Sequence, residues 1–133
     1  NTVVVDHMGR PDVSRPVYGP EFALFIKFMR EHPNVWSKVS CPERLSVTGP
    51  KALNGEQAAY RDVVPFARNI VEQFPDRVLW GTDWPHPNLK GHMPDDGLLV
   101  DFIPHIAPTA ELQRKLLVDN PMRLYWPEEK AAR

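Results

Sequence analysis

Asp83, His86 and Asn88 fall in the stretch Trp80-Gly81-Thr82-Asp83-Trp84-Pro85-His86-Pro87-Asn88, which Pro85 and Pro87 stiffen against helix formation. A carboxylate, an imidazole and an amide on a rigid turn suit a catalytic loop. A carboxylate such as Asp83 takes a proton from water when it is partly desolvated and a nearby electrophile acidifies that water. His7 offers an imidazole able to donate to a carbonyl oxygen and hold the negative charge that develops on attack. Arg10 and Arg44 carry planar forks suited to carboxylates, so a pocket holding both points to a di- or polyanionic organic acid.

Each assignment has a plainer competitor. Asp83 could cap a turn, and His7 could be a buried histidine bonded to backbone. Arg10 and Arg44 could form surface ion pairs with Asp12 or Glu43. His86 reads as a group that orients Asp83 or, in preference, as a loop-packing residue. Asn88 is suited to bonding a substrate oxygen. Cys41 lies at a strand end, but nothing in the sequence marks it as activated, so a structural role is expected. Trp36, Trp80, Trp84 and Trp126 are expected in the core or the pocket wall. His32, His92 and His105 show no metal-ligand spacing and are expected on the surface.

The elements that must position these groups read as strand, helix, strand, helix, strand, helix. Thr2–Asp6 is β-branched and apolar, as a strand covered on both faces would be. Phe22, Phe25, Ile26 and Met29 recur at helical spacing, predicting a helix over Glu21–Glu31 between Pro20 and Pro33. Val35–Ser40 is the second strand, followed by a polar connection from Cys41 to Gln57. A second helix is predicted over about Tyr60–Phe74, with Val63, Ala67, Ile70, Val71 and Phe74 on one face and Pro65 marking a kink or the true start. Val78–Trp80 is the third strand, Gly81 ends it, and a long loop spans 81–96. Leu98–Ile103 and Ala110–Val118 are expected as short helices, the second N-capped by Thr109. Three β–α units in series predict a parallel sheet with right-handed crossovers. The three strand ends, with His7 and Arg10, Cys41 and Arg44, and Asp83, would then face one pocket. Three strands cannot close a barrel, so missing partners are expected at two raw edges.

Composition narrows the class. The chain has 133 residues, 42% of them hydrophobic and 25% charged, with a formal net charge of −1. No basic run or stripe suits nucleic acid, and no apolar stretch approaches a membrane span, so neither partner is expected. Cys41 is the sole cysteine, which excludes an intrachain disulfide and a thiolate metal cluster. A reducing cytoplasm is the expected compartment. The chain opens inside a strand-like run, so it is expected to be the C-terminal part of a larger fold, residues 1–133 forming a partial barrel domain.

Five segments carry a resemblance: Asp6-His7-Met8-Gly9-Arg10-Pro11, Cys41-Pro42-Glu43-Arg44-Leu45, Trp80 to Pro87, Pro94-Asp95-Asp96-Gly97-Leu98, and Asn120-Pro121-Met122-Arg123-Leu124-Tyr125. Together they resemble the last three units of the amidohydrolase superfamily, amidohydrolase-related type. The resemblance implies an α/β fold, the C-terminal three β–α units of a distorted (β/α)8 barrel, with His7 ending strand six and Asp83 ending strand eight. It implies a hydrolase that opens the lactone ring of a dicarboxylate such as 2-pyrone-4,6-dicarboxylate, in bacterial breakdown of lignin-derived aromatics. In that reading Asp83 activates water, His7 polarises the lactone carbonyl, Arg10 and Arg44 hold substrate carboxylates, and Asn88 touches substrate. No cofactor is required, although many superfamily members bind one or two divalent metals, such as zinc, through the positions of His7 and Asp83. The first five units, with their His-x-His motif, are absent from this sequence. The competing readings are a metal-dependent amidohydrolase or decarboxylase of the same superfamily, and an inactive barrel fragment.

Overall fold

β-branched and apolar residues at the predicted places do form strands, and all of them run parallel. A computed structural model describes residues 1–51 and 59–128. Strand β1 (Val3–Val5) pairs with β2 (Val35–Lys38), and β2 pairs with β3 (Val78–Leu79). The order is β1-β2-β3 with Val4 opposite Trp36 and Lys38 opposite Leu79. Each strand is shorter than predicted because the chain turns sharply at its C-terminal end. β1 also differs in burial: Val3 is 45% exposed, so this strand is an edge and not a doubly covered one.

Alternation along β2 divides the sheet into two faces. Val35 and Val39 enter the main apolar core with Val78, while Trp36 and Leu79 are buried outside that cluster. Helix α1 (Pro20–Glu31) supplies Phe22, Ile26 and Met29 to the core, and α3 (Val64–Gln73) supplies Phe66, Ala67, Ile70 and Val71. The rings of Phe22 and Phe66 meet edge to face at 5.0 Å, joining the two helices. Pro65 falls in the first turn of α3, where a missing N–H costs nothing, so it marks the start and not a kink.

The structure departs from the sequence reading in three places. Pro42 opens a one-turn helix, α2 (Pro42–Leu45), inside the expected polar connection, whose residues 52–58 lie outside the described ones. The helix expected at Leu98–Ile103 is two pieces, α4 (Asp96–Asp101) and α5 (Ile103–Ile106), the second restarting with Pro104 in its first turn. Thr109 caps α6 (Ala110–Arg114) as predicted, its hydroxyl accepting from the Leu112 amide at 3.2 Å. A wide turn, Lys115–Asp119, then leads into α7 (Asn120–Tyr125), an element the sequence reading did not anticipate. Asn120 is fully buried there, and its amide donates to the carbonyls of Pro75 at 2.7 Å and Val78 at 2.9 Å, pinning β3. No helix among the described residues is long and apolar enough to cross a membrane.

Candidate active site

The three strands leave the sheet at one end, and each exit passes through a residue with left-handed backbone: His7 at φ 55°, Cys41 at φ 64° and Asp83 at φ 63°. For non-glycine residues that region is sparsely populated and costs roughly 1–3 kcal/mol each, a strain that concentrates at functional sites. The C-terminal end of a parallel sheet is also where open α/β folds place ligands. Sequence reasoning located the strand ends but had no signal for this shared geometry.

Asp83 is the meeting point. Its Oδ1 lies 3.7 Å from His7 Nε2, its Oδ2 lies 3.8 Å from Arg44 Nη1, and the Cys41 thiol donates to Oδ2 at 3.4 Å. The side chains of His7, Arg44 and Asp83 are 14%, 19% and 20% exposed, which leaves the group accessible but partly desolvated. His7 Nδ1 is held by the Ser40 hydroxyl at 2.8 Å, so the residue before Cys41 orients the imidazole. When that hydroxyl donates to Nδ1, the proton of the neutral ring is on Nε2, facing the space beside Asp83. Burial, together with the negative charges of Glu43 and Asp83, pushes the Cys41 thiol well above its ordinary value and keeps it protonated. Cys41 is thus a donor to Asp83 and not a nucleophile, as its sequence suggested.

The other sequence candidates lie apart from this cluster. Arg10 is exposed, with φ 57°, and borders a cleft of about 240 Å³ with Met8, Phe22, Phe25 and Phe66. Among the described residues it has no ion pair; Asp12 pairs with Arg15 and Ser14 instead. Asn88 is exposed at φ 69° and makes no side-chain hydrogen bond among the described residues. Trp84 and Trp126 are 73% and 51% exposed, so they do not line the core as expected. His92 is not a free surface residue either: its Nε2 lies 2.9 Å from the Tyr60 hydroxyl. Burial and the charges of Glu43 and Asp95 push that phenol up to about 12.

His86 is buried as expected of a packing residue, but its contacts are polar. Its ring lies between Glu43 Oε1 at 3.3 Å and Asp96 Oδ1 at 2.8 Å. Neither carboxylate was singled out from sequence, since a glutamate beside an arginine reads as a surface charge.

A family model described as amidohydrolase matches residues 1–126. The chain belongs to the amidohydrolase family. It is 89% identical over 128 residues to a 2-pyrone-4,6-dicarboxylate hydrolase of Comamonas testosteroni, covering 96% of this chain and 42% of that protein. It is 40% identical over 131 residues to a 4-sulfomuconolactone hydrolase of Hydrogenophaga intermedia, covering 97% of this chain and 40% of the relative. An apo crystal structure from Agrobacterium tumefaciens superposes with a TM-score of 0.71 at 31% identity, over 92% of this chain and 40% of that one. The amidohydrolase chain therefore spans about two fifths of the length of these relatives, and its fold is a part of the amidohydrolase (β/α)8 barrel.

Amidohydrolase sites raise the question of a metal. His7, Cys41 and Asp83 each bring one ligand atom, and these atoms lie within 4.8 Å of one another. An imidazole nitrogen, a sulfur and a carboxylate oxygen form a donor set suited to zinc. The residues present thus fit a divalent cation, with Cys41 adding a third ligand to the two that the sequence resemblance implied.

Proposed function

We propose that this chain is the C-terminal part of a hydrolase that opens the ring of an anionic lactone, a dicarboxylate such as 2-pyrone-4,6-dicarboxylate. The observation that carries the reading is Asp83, a carboxylate at a strand end with an imidazole at 3.7 Å and a guanidinium at 3.8 Å. The names of the two relatives support the substrate class, since both denote lactones bearing acidic groups. Asp83 takes a proton from water as the water oxygen bonds to the lactone carbonyl carbon. His7 Nε2–H donates to the carbonyl oxygen and holds its developing charge. The ring C–O bond then breaks, the proton held by Asp83 passes to the departing ring oxygen, and an open-chain acid with one more carboxylate is released. Arg44, Arg10 and Asn88 bind the substrate's anionic and polar groups. A cytoplasmic role in the catabolism of lignin-derived aromatics is the setting that fits such a substrate.

The metal-free form of this mechanism is our reading, because Arg44 already supplies positive charge beside Asp83. The His7–Cys41–Asp83 donor set favours a second reading, in which these three residues would hold a divalent cation and that cation would supply Lewis-acid chemistry. The test follows loss of the pyrone's ultraviolet absorbance by the full-length enzyme, after exhaustive chelation and again with zinc added. Ring opening that survives chelation supports the metal-free reading, and activity that returns only with zinc supports the other. Absence of ring opening under both conditions would overturn the lactone hydrolase assignment.

A further inference from the structure

His86, Glu43 and Asp96 take no part in the mechanism above, yet they form the most buried charged cluster among the described residues. The side chains of His86 and Glu43 are 1% and 0% exposed, and Asp96 leads out to solvent at 46%. Each ring nitrogen of His86 faces a carboxylate, Nδ1 to Glu43 Oε1 at 3.3 Å and Nε2 to Asp96 Oδ1 at 2.8 Å. Glu43 Oε2 is buried and has no hydrogen-bond partner among the described residues.

We propose that His86 is a positioning residue that locks the loop after β2 to the loop after β3 and thereby sets Arg44 against Asp83. The contacts close a ring. The His86 amide donates to the Asp83 carbonyl at 2.7 Å, the His86 imidazole holds Glu43, Glu43 is covalently next to Arg44, and Arg44 returns to Asp83 at 3.8 Å. Asp83 and His86 both sit in left-handed backbone, at φ 63° and 61°, a conformation that persists only where surrounding contacts over-determine it. The imidazole is the one polar partner of the buried Glu43 carboxyl among the described residues. Without it, Glu43 would be a buried carboxyl with no polar partner, a group that moves toward water and carries Arg44 and the Cys41 turn with it. Asp96, at the start of α4, fixes the far side of the ring to a third segment.

The proposal rests on the lactone hydrolase reading only for its kinetic consequence, so two readouts are needed. The first is alkylation of Cys41 by iodoacetamide in the native full-length enzyme, located by mass spectrometry. Cys41 is 1% exposed and bonded to Asp83, and parting of the loops would uncover it. His86→Leu should label at least about tenfold faster than wild type, the scale of one lost charge-assisted hydrogen bond. His86→Gln, which keeps one donor, should lie between them. Val71→Ala, in the core of α3 and remote from the loops, serves as a control for general loss of stability and should label at the wild-type rate. The second readout is the ratio of kcat/KM for a dicarboxylate lactone to that for a neutral lactone, which should fall in His86→Leu and partly recover in His86→Gln. Labelling of both His86 variants no faster than Val71→Ala, well below each Tm, overturns the proposal, as does an unchanged substrate ratio in an active enzyme. A wild-type enzyme that opens no lactone sinks the hydrolase reading and leaves the labelling to decide the positioning role.

Discussion

Asp83 gathers three donors from two other loops, and the variants that matter most are those that change one group without changing its shape. Asp83→Asn keeps the volume and the contacts to Arg44 and Cys41 but removes the base. In the full-length enzyme it should lower kcat by about a hundredfold or more, the scale of a lost general base, with Tm nearly unchanged. Near-normal turnover would exclude the role. Arg44 and Arg10 test substrate charge. Losing a fork that pairs with a carboxylate in a dry pocket costs about 2–5 kcal/mol, so Arg44→Met should weaken a dicarboxylate lactone strongly and spare a neutral one of the same shape, while Arg10→Met, at an exposed side chain on its own cleft, should do so by less. Lysine should rescue only in part, because an ammonium lacks the planar fork. Equal losses on both substrates would make the arginines structural. Arg44, already beside Asp83, should show the larger effect of the two.

At the scale of elements, the turn between α2 and α3 is organised by one carboxylate. Asp62 accepts from the Ser46 hydroxyl at 2.5 Å, the Val47 amide at 2.7 Å, and the Thr48 amide and hydroxyl at 3.1 and 3.0 Å. Partial burial by itself raises its pKa, but the bonds from Ser46, Thr48 and Val47 outweigh burial and hold the carboxyl below its ordinary value of 3.8. A depressed folded-state pKa contributes stability that is present above the unfolded value and is lost as pH falls through the folded one. Thermal unfolding should therefore show wild type losing stability as pH drops below about 4, and Asp62→Asn losing less over the same interval. At neutral pH, Asp62→Asn should already be about 1–2 kcal/mol less stable, because an amide oxygen accepts these bonds more weakly. Parallel pH curves for the two proteins would show that the Asp62 contacts carry no net stability.

For the whole molecule, the open edges of the sheet are the dominant fact. β1 and β3 each pair on one side only among the described residues, and Val3 on β1 is 45% exposed. Unpaired N–H and C=O rows template association with other strands. Under the proposed reading the rest of the barrel covers them in the full-length enzyme. Light scattering on a sizing column should then show the isolated chain of 133 residues associating as its concentration rises. Val3→Lys, which charges the β1 edge, should suppress that association. A strictly monomeric isolated chain at every concentration would mean that the edges are protected from within.

The sequence by itself determined the parallel α/β arrangement, the apolar faces of α1 and α3, the Thr109 cap and the three strand ends that carry His7, Cys41 and Asp83. These follow from local rules: side-chain period, β-branching, proline placement and capping chemistry are all written within a few residues. It also supplied the resemblance that the amidohydrolase family match bears out along residues 1–126. Only the tertiary structure decided that Arg44 reaches Asp83 while Arg10 lies on a separate cleft, because both arginines end a strand and nothing local tells them apart. The same holds for the partners Glu43, His86 and Asp96, which are 43 and 10 residues apart and become neighbours only through the crossover that sets β2 beside β3. Asn120 was visible as part of a motif, but its task of holding the Pro75 and Val78 carbonyls required α7 to fold back onto β3. Such pairings are long-range by construction: a side chain's type is fixed by the gene, whereas its partner is fixed by which strand ends the sheet brings together.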